Sequence, residues 1–328
     1  MGKETLLQRT FRRTRKIFSL QNILIATNIR HAPLITHQLG GLPIHYSYEP
    51  AKRETAAAIG LAAIRIAKKD PHEILFTVNA DHVVLDESAY RRTAGQVEAV
   101  IKKNPGYSVL VGIEPTYPET GYGYIKLSRR YQTVGRHKIY YADRFIEKPD
   151  IAHAKLYVKR WEYLWNPAMF AWRVDTLLEL YKKFMPVHYR ILMNIQRSLG
   201  TAHEASVIKK EFPKMPAVSI DYGIMEKLKK MLVVPASLGW ADIGHWRTVH
   251  EMMDSDPGGN TVRGKHVGVA THNSMILNFS DKLVATAGVE DLLVINTQDA
   301  VLVCDREHAQ DVKKIVEIIK KKKWLRYL

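Results

Sequence analysis

The stretch ETAAAIGLAAIRIAKKDPHEILFTVNADH (54–82) decides the fold. Its first half, residues 54–69, is rich in alanine and sets Ile59, Ala63 and Ile66 on one face, the spacing of a packed helix. Its second half, EILFTV (73–78), is a short apolar run of the kind found in strands buried on both faces. Working outward, NILIAT (22–27), IHYSY (44–48) and YSVLVGI (107–113) read as further strands, and residues 88–103 as a second helix. Strands alternating with helices predict a parallel α/β sheet. Ligands of such sheets bind beyond the carboxyl ends of the strands. Asn79-Ala80-Asp81-His82, just past EILFTV, is therefore the first place to look for chemistry.

The pattern then changes. YGYIKL (122–127) and KIYYADRFIEKP (138–149) alternate as antiparallel or edge strands do, and residues 151–161, 174–199 and 221–230 read as helices. LVVPA (232–236) is a strand, followed by the turn-rich GWADIGHW (239–246). Asp254-Ser255-Asp256-Pro257-Gly258-Gly259-Asn260 is a turn or linker by composition and marks a domain boundary, giving 1–255 and 256–328. Beyond it, HVGVAT, SMILNF, KLVATAG, DLLVINT and AVLVCD are closely spaced strands of a small β domain, whose spacing hints at a coiled arrangement. A terminal helix (306–323) places Ala309, Val312, Val316 and Ile319 on one stripe.

Composition limits the alternatives. The chain has 328 residues, 46% of them hydrophobic, enough for a large core and a smaller satellite domain. No apolar run reaches the roughly 18 residues of a membrane span. The basic start MGKETLLQRTFRRTRK lacks the apolar stretch of a secretory leader and carries helical spacing instead (Leu6, Leu7, Thr10, Phe11, Thr14), so a cytoplasmic location is expected. The single cysteine, Cys304, permits no intrachain disulfide and reads as a buried thiol on a strand. The net charge of +16 gathers near the two ends, in Arg9, Arg12, Arg13, Arg15 and Lys16 and in Lys320–Lys323. Aromatic residues do not interleave with basic ones in the pattern of a nucleic-acid module, which argues against nucleic acid and for a bias towards anionic small substrates. Fourteen histidines include no HExxH pattern.

Several residues suit chemistry. Read alone, Asp81 fits either a hard cation such as Mg²⁺ or a turn cap, and Asp242, between Trp240 and Trp246, is equally open. Two separated carboxylates of this kind could clamp one Mg²⁺ on a triphosphate. Glu147-Lys148 ends a strand and offers a point charge for a phosphate, or a solvated surface pair. Gly123 allows close backbone approach to a ligand, or a hairpin turn, and Asn166 offers an amide to a sugar hydroxyl, or is a satisfied core asparagine.

Taken in order, EPAKRETAAAIGLAA (49–63), NADH (79–82), ETGYGYI (119–125), FIEKPD (145–150), WNPAMFAW (165–172), SIDYGIMEK (219–227), GWADIGHW (239–246) and DLLVINTQDAVLVCDREHAQDVKKIV (291–316) resemble the sugar-nucleotide pyrophosphorylases, and within them the mannose-1-phosphate guanylyltransferases. The resemblance implies a Rossmann-like nucleotidyltransferase domain of GT-A type and a small C-terminal β domain of left-handed β-helix form. It implies GTP and mannose 1-phosphate as substrates, GDP-mannose and pyrophosphate as products, and Mg²⁺ as cofactor; no membrane partner is expected, since no apolar run is long enough to span one. Carried over residue by residue, it makes Asp81 and Asp242 the metal carboxylates and Lys148 the contact to the sugar phosphate. Gly123, Glu147 and Asn166 then line the sugar, and Arg53, Thr55 and Ala56 flank the guanine nucleotide. The exposed edges of a C-terminal β domain would suit a homodimer.

The chain departs from the family at four places. The family opens with a strand and a loop of the form GGxGTRLxPLSRxxxPK, and MGKETLL resembles the segment after it. Two expectations follow: the protein is longer upstream, or it is a non-catalytic homologue serving as a regulatory or structural subunit. In the remaining three, Glu54 stands where asparagine is usual, Ala57 where proline is usual, and Pro167-Ala168 where the family has Ser-Gly.

Overall fold

The computed structural model describes residues 4–244 and 253–327, which fall into two compact units, Glu4–Trp240 and Ala241–Leu328. The first opens with α1 (Leu6–Thr14), whose start is fixed by a capping box between Thr5 and Gln8. There follow β1 (Leu24–Asn28), α2 (Ala32–Gln38), β2 (His45–Glu49), α3 (Glu54–Lys69), β3 (Ile74–Phe76), β4 (His82–Val84), α4 (Glu87–Lys103) and β5 (Ser108–Ile113). The long strands β6 (Gly123–Val134) and β7 (His137–Ile146) come next, then α5 (Ile151–Val158), β8 (Tyr163–Asn166) and β9 (Phe170–Arg173). Helices α6 (Val174–Phe184), α7 (Pro186–Ser198), α8 (Glu204–Glu211) and α9 (Ile220–Gly223) lead to β10 (Met231–Ala236).

Seven strands form one sheet in the order β10-β7-β6-β8-β5-β9-β3, with β10 also paired to β5. Strand direction corrects the reading of one parallel sheet. The β10–β5 pair is parallel, but β3 pairs antiparallel with β9, which lies between β3 and β5. The parallel pair β1–β2 forms a sheet of its own. An apolar strand buried on both faces has the same composition whichever way it runs, so direction is not written in it.

Alternation along the strands splits the core into two layers. Leu110, Met231 and Val233 face the layer that holds α3, α6 and α7, whereas Val109, Val111, Leu232 and Val234 face the layer that holds α4. On α3 the deepest positions are Ala56, Ala57, Leu61, Ala63 and Ile64, while Ile59 and Ile66 are only partly covered. The small side chains let α3 approach its neighbours closely: a Cβ on Gly60 would stand 2.6 Å from Leu192 Cδ1. The expected single helix over 174–199 breaks at Met185, which Pro186 forces out of the helical region. The expected helix over 221–230 is instead the short α9 and one 3₁₀ turn (Met225–Lys227), with Ile220, Ile224, Met225 and Leu228 buried and Tyr222, Glu226 and Lys227 exposed.

The strand β11 (Trp240–Asp242) leads into the second unit, which contains β12 (Thr261–Arg263), β13 (His266–His272), β14 (Met275–Asn278), β15 (Val284–Glu290), β16 (Leu292–Asn296), β17 (Val301–Asp305) and α10 (Val312–Lys321). The strands β12-β14-β16 form one parallel ladder and β13-β15 another, as in a coiled β-helix-like domain. The pairs β13–β15 and β14–β16 both join residues eighteen positions apart, so 266–278 and 284–296 are successive coils. The equivalent positions Ala270 and Gly288 both have positive φ, as do Asn273 and Asp291, and Asn296 Nδ2 donates to Asn278 Oδ1 at 3.0 Å along the stack. Met275, Leu277 and Leu293 form the core of this unit, against which Ala309 packs. On α10, Val312, Val316 and Ile319 are half-buried and Ile315 and Ile318 exposed. Cys304 is half-buried, less enclosed than expected, and burial raises its thiol pKa. Among the described residues no helix is long and apolar enough to cross a membrane.

Candidate active site

Gly123, Glu147 and Asn166 converge at neighbouring strand ends. Gly123 opens β6 and is paired in register with Asn166, the last residue of β8, while Glu147 follows the end of β7. A Cβ on Gly123 would lie 2.6 Å from Glu147 Oε2 and 3.4 Å from the Asn166 side chain, so glycine here makes room for both. The Asn166 amide is fixed at both ends: Oδ1 accepts from the Ala168 amide at 3.0 Å and Nδ2 donates to Asp221 Oδ1 at 3.2 Å. The Asn166–Ala168 turn is of the Asx kind and holds Ala168 at φ +53, where a methyl group is strained.

Glu147 and Lys148 form a second constrained corner. The Glu147 amide donates to Glu226 Oε1 at 3.3 Å, and Lys148 has a φ of +49. Lys148 Nζ lies 3.5 Å from Glu147 Oε1, with the lysine side chain largely exposed and the glutamate only 12% exposed. Burial first, and then the neighbouring charge of Asp221, push the Glu147 carboxyl up to about 7, against the attraction of Lys148. Asp221 is itself raised, again chiefly by burial. Asp221 and Glu226 both lie within SIDYGIMEK, yet the sequence gives no sign of which of its polar residues turns towards Glu147.

The residues expected beside the nucleotide are tied to the segment 213–220. Arg53 donates to the Pro213 carbonyl from Nε at 2.8 Å and from Nη2 at 2.6 Å. Thr55 Oγ1 accepts from the Ile220 amide at 2.9 Å, and the Ala56 amide donates to the Val218 carbonyl at 3.3 Å. The Ala56 carbonyl accepts from the buried Tyr181 hydroxyl at 2.6 Å. Glu54, at φ +62, sits 4.0 Å from Lys52 Nζ at the surface. Glu49, at the carboxyl end of β2, has its carboxyl pushed up to about 7 by burial, a perturbation invisible in the sequence.

Asp81 is exposed in the turn between β3 and β4. The turn is anchored by His82, whose Nδ1 lies 3.1 Å from the Trp240 indole Nε1; as indole can only donate, that nitrogen is the acceptor. Leu85 and Asp86 amides donate to the Leu238 carbonyl on the far side of β4. Asp242 belongs to the second unit, where its Oδ1 accepts from the Gly244 amide at 2.8 Å. His245 and Trp246, the rest of that motif, lie outside the described residues. Among the described residues no three His, Cys, Asp or Glu side chains gather as a cation cage. Hard carboxylate oxygens in small number do fit magnesium, which keeps waters and substrate phosphates as its other ligands.

A helix-flanked mixed sheet with polar groups at its strand ends, together with a parallel β coil, defines the class. The chain matches the nucleotidyl transferase family over residues 1–258 and the MannoseP isomerase/GMP-like beta-helix domain over 264–319. It is 34% identical to mannose-1-phosphate guanylyltransferase 2 of Escherichia coli O157:H7, an alignment covering 100% of this chain and 69% of that protein. It is 34% identical to a mannose-1-phosphate guanylyltransferase of Salmonella montevideo, covering 97% and 68%. A crystal structure from Thermus thermophilus, described as a mannose-1-phosphate geranyltransferase, superposes with a TM-score of 0.83 at 32% identity over 97% of this chain and 90% of that one. The chain belongs to the nucleotidyl transferase family, in its mannose-1-phosphate guanylyltransferase branch.

Proposed function

We propose that the protein joins GTP and mannose 1-phosphate to give GDP-mannose and pyrophosphate. An oxygen of the sugar phosphate attacks the α-phosphorus of GTP, the bond from that phosphorus to the bridging oxygen breaks, and pyrophosphate leaves. Catalysis of this kind rests mainly on positioning and charge neutralisation. The observation that carries the reading is the convergence of Glu147 and Asn166 around Gly123, with Lys148 beside them, in a chain related over its whole length to guanylyltransferases.

In this reading Glu147, Asn166 and the Gly123 backbone hold the sugar, and Lys148 meets its phosphate. Arg53, Thr55 and Ala56, on and just before the first turn of α3, border the nucleotide. Asp81 and Asp242 would each give a carboxylate to Mg²⁺, whose charge would offset that of the triphosphate. Residues 1–255 serve as the nucleotidyltransferase domain and 256–328 as the β domain. The reaction is assigned to the cytoplasm, where GTP and sugar phosphates are found. A homodimer through the β domain is part of the reading, since β17 ends its ladder with Val301 and Val303 exposed; a monomer mass by light scattering would remove it.

The test is pyrophosphate release from GTP, mannose 1-phosphate and Mg²⁺, with glucose 1-phosphate and ATP as controls. Release that requires GTP and mannose 1-phosphate supports the reading. No release from protein that still binds GDP-mannose would replace it with a non-catalytic homologue.

A further inference from the structure

The segment 218–221 touches both groups of site residues. Its Val218 carbonyl and Ile220 amide hold the first turn of α3 through Ala56 and Thr55. One residue further on, Asp221 accepts from the Asn166 amide. Asn166 Oδ1 is already engaged by the Ala168 amide, which sets the sense of the side-chain amide, and Asp221 takes up its Nδ2 end.

Asp221 is also costly where it stands. It is largely desolvated, and Glu147 and Glu226 repel it or its neighbours while Lys148 attracts. A buried carboxylate is tolerated when donors satisfy it. Asn166 supplies one donor from its side chain. A hexose supplies several hydroxyl donors around the edge of its ring, and their hydrogen bonds to an ionised carboxylate are of the strong, charge-assisted kind.

Resting on the guanylyltransferase reading, we propose that Asp221 is a further specificity-determining residue for the sugar: one carboxylate oxygen sets the Asn166 amide, and the other accepts a hydroxyl of the hexose. The side chain thus works beside Glu147 and Asn166 on the sugar and does not contact the nucleotide.

The experiment measures the dissociation constants of GDP-mannose and of GDP by calorimetry for the full chain, for Asp221→Asn and for Asp221→Ala. The ratio of the two constants isolates the sugar's contribution. Asp221→Asn keeps the shape and can still accept from Asn166, but it replaces the second acceptor with a donor. It is expected to cut the ratio about tenfold while leaving GDP affinity within about twofold. Asp221→Ala, which also removes the acceptor of Asn166 Nδ2, is expected to cut it further. An unchanged ratio in Asp221→Asn, in protein whose wild type prefers GDP-mannose, overturns this proposal and leaves the guanylyltransferase reading intact. A wild type that binds GDP but shows no preference for GDP-mannose overturns both. If Asp221→Ala fails to fold, Asp221→Asn alone decides.

Discussion

The Oε2 atom of Glu147 lies 2.6 Å from the point a Cβ on Gly123 would occupy. Real Cβ atoms do not approach a carboxylate so closely, so the glycine and the glutamate are one feature. Gly123→Ala must push the Glu147 side chain aside and crowd Asn166. The expected result is a rise of at least about tenfold in KM for mannose 1-phosphate with KM for GTP little changed. Steady-state kinetics with each substrate varied in turn would check it; an equal rise in both constants would mean the sheet edge itself has been disturbed.

Glu147 gives a pH prediction. Its carboxyl is raised from 4.5 to about 7 by burial and by Asp221. The folded protein therefore holds a proton that the unfolded chain has lost, and stability falls as pH rises from about 4.5 to about 7. Glu147→Gln removes that loss. Urea denaturation should find the variant more stable by about 1–3 kcal/mol at pH 8 and indistinguishable from wild type near pH 4. A gain that is the same at both pH values would refute the electrostatic cause.

The two coils of the C-terminal unit provide an internal control for backbone strain. Ala270 at φ +50 and Gly288 at φ +62 are equivalent positions, and a Cβ on Gly288 would meet nothing within 4 Å. The only cost of a side chain there is conformational. Ala270→Gly is expected to stabilise this unit by about 1 kcal/mol and Gly288→Ala to destabilise it by a similar amount. Opposite shifts in the thermal midpoint would confirm this. By the same reasoning Ala168→Gly, at φ +53, should gain about 1 kcal/mol.

The Tyr181 hydroxyl donates to the Ala56 carbonyl at 2.6 Å in the core. Tyr181→Phe leaves a second demand on that carbonyl unmet and should cost about 1–2 kcal/mol. Thr55→Val, which removes the acceptor of the Ile220 amide, should cost a similar amount, whereas Thr55→Ser should restore most of it. Equilibrium denaturation of the three variants would measure these values.

If Asp81 and Asp242 both serve the cation, Asp81→Asn and Asp242→Asn should each lower Mg²⁺-dependent pyrophosphate release on the order of a hundredfold. Excess Mg²⁺ should recover part of the loss. Full activity in either variant, assayed across a magnesium titration, would remove that residue from the role.

Periodicity and composition by themselves place β1, β2, β3 and β5, the helix α3, the turn after β3 that carries Asp81, and the closely spaced strands of the C-terminal part. These signals are local: a strand or helix buries its apolar side chains at a fixed spacing wherever it packs. The ordered motifs likewise point to Gly123, Glu147 and Asn166, which lie in three separate segments of the chain. Only the tertiary structure decided what depends on partners distant in the chain. It set β9 antiparallel between β3 and β5, a choice that burial on both faces leaves unwritten. It matched the coils 266–278 and 284–296 eighteen residues apart, where Ala270 answers Gly288 and the sequence likeness is too slight to declare a repeat. It also buried Glu147, which raises its carboxyl, and brought Asp221 to Asn166 across 55 residues, which raises it further, because desolvation is a property of the folded neighbourhood and a charge is felt through space.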